Sequence, residues 1–168
     1  GRAWDAATRE PWRSLLLALL VVLLATYSRS FSGLTVPNER SRLYLANVDL
    51  ASTRPSDIIG MFTGCPYFAN GFSVSGRHNL CLFFFSESVT TLESIVNGHI
   101  RSHPSVSDVD FDIVIASVKD FIIPATLRPK HGAKPPCGST LRCSACPEFK
   151  SHKCMGCPVT GEYQGSFY

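Results

Sequence analysis

The side chains with the most chemistry in this chain are gathered near its end, in "CSACPEFKSHKCMGCP" from Cys143 to Pro158. Cys143, Cys146, Cys154 and Cys157 stand in the spacing C-x2-C-x7-C-x2-C. A two-residue spacer lets both sulfurs of a pair reach one ion, and four soft thiolates are the set that tetrahedral Zn²⁺ takes in structural sites. Four protein ligands leave no open position, so such a Zn²⁺ holds structure and does not catalyse. The middle spacer is short for a zinc ribbon, and His152 or Cys137 could replace one ligand. Three other readings stay open. An iron–sulfur cluster also takes four thiolates, although the run lacks the compact C-x2-C-x2-C of bacterial ferredoxins. Disulfides need an oxidising compartment, and the chain's 7 cysteines are an odd number. The last reading is free thiols. Cys65 and Cys81 fall in expected core or sheet, where a lone thiol is an inert small hydrophobe.

Nothing else in the sequence assembles a reaction. There is no P-loop, G-x-G-x-x-G, H-E-x-x-H or G-x-S-x-G. The histidines (78, 99, 103, 131 and 152) are scattered, and no Cys/His or Ser/His/Asp set follows from their spacing. The expectation is a protein that is not an enzyme. A net charge of +3 on 168 residues does not mark a nucleic-acid binder. Its distribution is uneven: residues 41–118 are acidic, and the segments on either side are basic.

Three segments must position these residues. In residues 1–36, a charge-free run from Ser14 to Ser28 is flanked by Arg13 and Arg29, with Trp12 and Tyr27 at its margins. It is short against a bilayer core of about 30 Å. The basic and aromatic flanks nevertheless suit an interface, so a single transmembrane helix over about 14–28 is expected. The rivals are a retained signal segment and a buried helix. Residues 41–118 read as one domain, and residues 119–168 as a basic, Pro- and Gly-rich linker leading into a Cys-rich tail.

The middle segment alternates. "LYLANVDL" reads as a strand, and a helix follows from Pro55, capped by Ser52 or Thr53, with Ile58, Met61 and Phe62 on one face and Gly64 as its stop. "YFANGFSVSG" and "HNLCLFFFSES" read as strands. "SVTTLESIVNG" is a helix stopped by Asn97-Gly98, and "SDVDFDIVIAS" is a last strand. Strand, helix, strand, strand, helix, strand is the βαββαβ order of an α+β, ferredoxin-like domain.

Within that order, "LYLANV" resembles the six-residue motif on the first strand of RNA-recognition motif (RRM) domains, and "SDIIGMF" and "SIVNG" are similar to their helix patterns. The resemblance implies an RRM-like domain over Ser41–Val118. It also implies that bases would stack on aromatics of the open sheet face. Tyr44 matches such a platform and Arg77 the leading basic residue. The positions expected to stack on the third strand are Asn79 and Cys81, with Phe83 beside them, and Asp110 and Asp112 would repel phosphate. Tyr44, Arg77 and Phe83 are therefore expected on a face that meets a protein partner. These observations lead to the expectation of a membrane-anchored accessory subunit of a large organellar complex, at the mitochondrial inner membrane or else a thylakoid or other membrane. Its partners would be the bilayer and neighbouring subunits. The alternative is an organellar or ribosome-associated RNA-binding protein with a zinc-binding tail.

Overall fold

A computed structural model describes residues 43–120, 122–123, 129–137, 139 and 141–168. The expected transmembrane helix at 14–28 lies outside the described residues, and none of the described helices is long and apolar enough to cross a membrane.

Alternation of small apolar and polar residues makes the first strand, β1 (Tyr44–Ser52), with Ala46, Val48 and Leu50 fully buried on one side. Pro55 then fixes the first turn of α1 (Pro55–Phe62), which lays Ile58 and Phe62 onto the sheet. Burying each contributes about 1.5–3 kcal/mol. Neither expected cap holds this helix. The Ser52 hydroxyl instead accepts the Arg54 N–H (3.1 Å) and pairs with Ser105 Oγ (3.0 Å), tying the end of β1 to the approach of the last strand. β2 (Phe68–Ser73) and β3 (Leu80–Ser86) follow. Ser88 caps α2 (Val89–Ile95) by accepting the Thr91 N–H. β4 (Val106–Ile113) closes the sheet in the order β2-β3-β1-β4, with every neighbouring pair antiparallel.

Two elements depart from the sequence reading. Asn97-Gly98 does not stop α2. The chain continues through a π turn (Val96–Ile100), with the Arg101 N–H reaching the Val96 carbonyl, and Val96 and Ile100 are both buried in the core. The stretch read as the last strand also ends early: Ile115 lies beyond the end of β4 and is 98% exposed.

After β4 the chain reaches Cys137, which joins the main apolar cluster with Cys65 and Tyr67. A 3-10 turn (Cys143–Ala145), the one-turn α3 (Pro147–Lys150) and a second 3-10 turn (Pro158–Thr160) follow. This C-terminal segment is docked on the sheet and helices, within one compact unit that spans residues 35–168. Thr91 Oγ1 accepts the Met155 N–H (3.0 Å), and Tyr67 Oη donates to the Gly156 carbonyl. Tyr168 Oη donates to the Pro66 carbonyl at 2.5 Å. Phe167 and Tyr168 cover Phe85, leaving it 1% exposed.

Candidate functional site

The open face of the sheet follows from strand alternation. Leu80, Leu82 and Phe84 are fully buried toward the helices, so Cys81 and Phe83 face the other way. Register then sets Cys81 opposite Asp49 and Phe83 opposite Asn47, while Asp110 and Asp112 lie across from Asp49 and Asn47. Phe72 packs edge-on against Phe83, with centroids 6.1 Å apart. The face is apolar over β2–β3 and acidic over β1–β4.

Tyr44 is not on this face. It shares the alternation of Ala46, Val48 and Leu50 and pairs with Ser86 at the start of β1. Arg77 is engaged with Asp108 at 2.5 Å, and His78 contacts Asp108 (3.1 Å) and Asp110 (3.7 Å). The His78 hydrogen bond, with help from Arg77, holds the Asp108 carboxyl below the usual aspartate range. Asn79, expected to stand where a base would stack, is a clamp. Its amide nitrogen donates to the Ser52 carbonyl (2.7 Å), and its side-chain oxygen accepts the Ser52 N–H (2.9 Å). Tyr44, Arg77 and Phe83 are thus not brought together. The Cys81 thiol donates to Asn47 Oδ1 (3.1 Å), and burial followed by the Asp49 carboxylate pushes its pKa up to about 11, which keeps it protonated.

The thiols of the C-terminal segment are gathered. Cys143 and Cys157 are buried, with the Cys157 N–H donating to Cys143 Sγ at 3.3 Å. Cys154 lies within electrostatic reach of Cys143, Cys146 and Cys137. Cys137, from the Pro-rich linker, is within electrostatic reach of Cys143, Cys146 and Cys157. Burial raises Cys137, Cys154 and Cys157, the last to about 11. All seven cysteines are free thiols. Among the described residues, no three His, Cys, Asp or Glu side chains converge on one point at ligand distance.

Sequence spacing missed the role of two residues. Cys137 Sγ lies 3.5 Å from His99 Nε2, a pairing of positions 38 residues apart. Burial lowers the His99 pKa and raises that of Cys137, the reverse of what a thiolate–imidazolium nucleophile needs. Lys130 is the other. It lines a cleft of about 380 Å³ with Thr63, Gly64, Pro66, Phe68 and Pro136, and no salt bridge engages it among the described residues. The sequence offered Cys137 as a substitute ligand, but no spacing pairs it with His99.

No protein-family model matches the chain, and neither does any curated protein. Among solved structures the chain is similar to a transcriptional regulator from Neisseria meningitidis, determined as its L-Met complex. The two share 17% identity and a TM-score of 0.50, over 67% of this chain and 75% of that one. It is also similar to AsnC of E. coli (9% identity, TM-score 0.44, 62% of this chain and 74% of that one). MtbAldR compares in the same way (10% identity, TM-score 0.45, 66% and 79%). At such identities the likeness shows the fold, a small ferredoxin-like α+β domain with a four-stranded antiparallel sheet.

That likeness corrects the function expected from the sequence. The fold is one that a transcriptional regulator carries, so the reading as a membrane-anchored accessory subunit at an organellar or mitochondrial inner membrane is set aside. Its RNA-binding alternative falls with it. Tyr44 faces the wrong way, Asn79 is occupied, and Asp49, Asp110 and Asp112 line the face where phosphate would run.

Proposed function

We propose that this chain is a regulatory, non-catalytic protein whose α+β domain takes a small effector bearing a carboxylate. The cleft between the end of α1, the start of β2 and the linker carries the reading. It offers about 380 Å³, within the size range of small-molecule sites, with Phe68 and three prolines as apolar wall and the Lys130 ammonium as its cation. A short apolar amino acid or similar monocarboxylate fits that chemistry: the carboxylate goes to Lys130 and the side chain toward Phe68 and Val159. The L-Met complex of the regulator that shares this fold is consistent with such an effector.

Thermal unfolding of the full chain with L-methionine and a panel of small carboxylates tests this. A ligand that binds only the native state at about 100 times its Kd stabilises it by about 2.7 kcal/mol, which raises Tm by several degrees. Lys130→Ala should abolish the shift and leave the unliganded Tm unchanged. No shift with any member at millimolar concentration would overturn the reading.

A further inference from the structure

The open face of the sheet sets two kinds of surface side by side. On β2, Phe72 is 49% exposed and packs edge-on against Phe83 of β3. On the other half, the same alternation presents Asp49 of β1 and Asp108, Asp110 and Asp112 of β4. Asp49 and Asp110 stand directly opposite each other in the register of the two strands. Side chains so placed have Cβ atoms about 4.5–5.5 Å apart, and like charges there repel. Asn47 donates to the Asp49 carboxylate (2.8 Å), which holds it in place without neutralising it. Arg77 and His78 spend their contacts on Asp108, and His78 reaches Asp110 only at 3.7 Å. The Asp110 side chain stays 66% exposed.

The dimensions of the face suit a helix. Strands lie about 4.8 Å apart, so a helix about 10–12 Å across spans two to three of them. Laid along β3 and β1, it meets Phe72 with one flank and the carboxylates with the other. Phe85, next in the β3 alternation, is covered by Phe167 and Tyr168, which closes one end. The open stretch of β1, residues 47–51, is roughly 17 Å long at about 3.4 Å per residue, or about three turns of helix. A second copy of this chain, face to face, would bury carboxylates against carboxylates or against Phe72. A nucleic acid would bring phosphate to them. A basic partner neutralises them.

We propose that the open sheet face docks a basic amphipathic helix of a partner protein, about three turns long, with apolar side chains on Phe72 and a Lys or Arg between Asp49 and Asp110. The surface stands independently of the effector cleft.

The test is fluorescence anisotropy of a labelled three-turn helical peptide, Leu along one flank and Arg along the next, titrated with the full chain. A scrambled peptide of the same composition is the control. The ordered peptide should bind one to one, at least about tenfold tighter than the scrambled one, and should weaken as salt screens the charges. Asp110→Lys puts a cation opposite Asp49, so it should leave Tm unchanged or raised while binding falls about tenfold or more. Phe72→Ser should also weaken binding. Asp57→Lys, on α1 away from this face, should not. Equal binding of the scrambled peptide, or indifference to both Asp110→Lys and Phe72→Ser, would overturn the proposal. Self-association of the free chain that either variant abolishes would overturn it in favour of a second copy. Binding of a labelled DNA duplex that Phe72→Ser abolishes would overturn it in favour of nucleic acid.

Discussion

Where β3 meets the helices, Leu80, Leu82 and Phe84 pack on Phe62 and Leu92, all fully buried and all without a polar atom. Between Cys137 and Tyr168 the chain is held instead by single hydrogen bonds and aromatic edges: Met155 to Thr91, Tyr67 to Gly156, Tyr163 against Tyr168. Glu87 concentrates that second strategy. Its carboxylate accepts from the Tyr163 hydroxyl, from the Ser166 hydroxyl and N–H, and from the Phe167 N–H. One region is stabilised by area removed from water, which no single polar substitution removes. The other depends on a few directional contacts, each of which can be cut alone.

The largest effect should come from the apolar side. Phe62 is fully buried and meets Phe84 edge-on at 4.9 Å, so Phe62→Ala should cost about 3–5 kcal/mol in denaturant unfolding and loosen both regions at once. Gly156→Ala should act on the C-terminal segment only. Gly156 has φ +83°, and an added Cβ would stand 2.5 Å from the Glu162 carbonyl oxygen. A cost of about 1–3 kcal/mol is expected, read as protease cleavage between 137 and 168 while the sheet's amide protection persists. Equal loss of protection in β1 and β3 would show that the two regions are not separable.

Glu87 gives the comparison a pH dependence. Its burial works to raise the pKa, but the hydrogen bonds from Ser166, Tyr163 and Phe167 outweigh this and hold the carboxyl below the usual glutamate value. A lowered folded pKa contributes stability above the unfolded value of about 4.3 and loses it as pH falls through the folded one. Acid should therefore free the C-terminal segment first, visible in near-UV tyrosine signals, and Glu87→Gln should flatten that titration. The smallest effect should be Arg77→Ala. The Arg77 side chain is 83% exposed, so loss of its pair with Asp108 should cost less than about 1 kcal/mol.

The same contrast explains what could be read from residues alone. Strand and helix order was legible because each element repeats its pattern: Ala46, Val48 and Leu50 at period two, Ile58 and Phe62 one turn apart. The face of the carboxylates on β4 followed from the same alternation. The C-terminal segment offered no period. Its docking rests on partners far away in the chain, such as Thr91, 64 residues before Met155, and Pro66, 102 before Tyr168. Spacing showed four thiols within one stretch, but not that Cys137 approaches from the linker or that His99 waits beside it. Tyr44 misled because one aromatic at a strand start fits a motif equally well on either face.

The π turn at Val96–Ile100 has a consequence in the arithmetic of insertion and deletion. A π turn carries one residue more than the α-helix it interrupts. Gly98 sits in it with nothing within 4 Å of where a Cβ would be, and its carbonyl accepts the Ser102 hydroxyl (2.7 Å), so that residue supplies length and no side-chain contact. Deleting Gly98 should let α2 run on as a regular helix, with Ile100 taking the next α-helical position. The segment from Val89 to Ile100 is thus a place where the chain can shorten by one residue while β4 keeps its register.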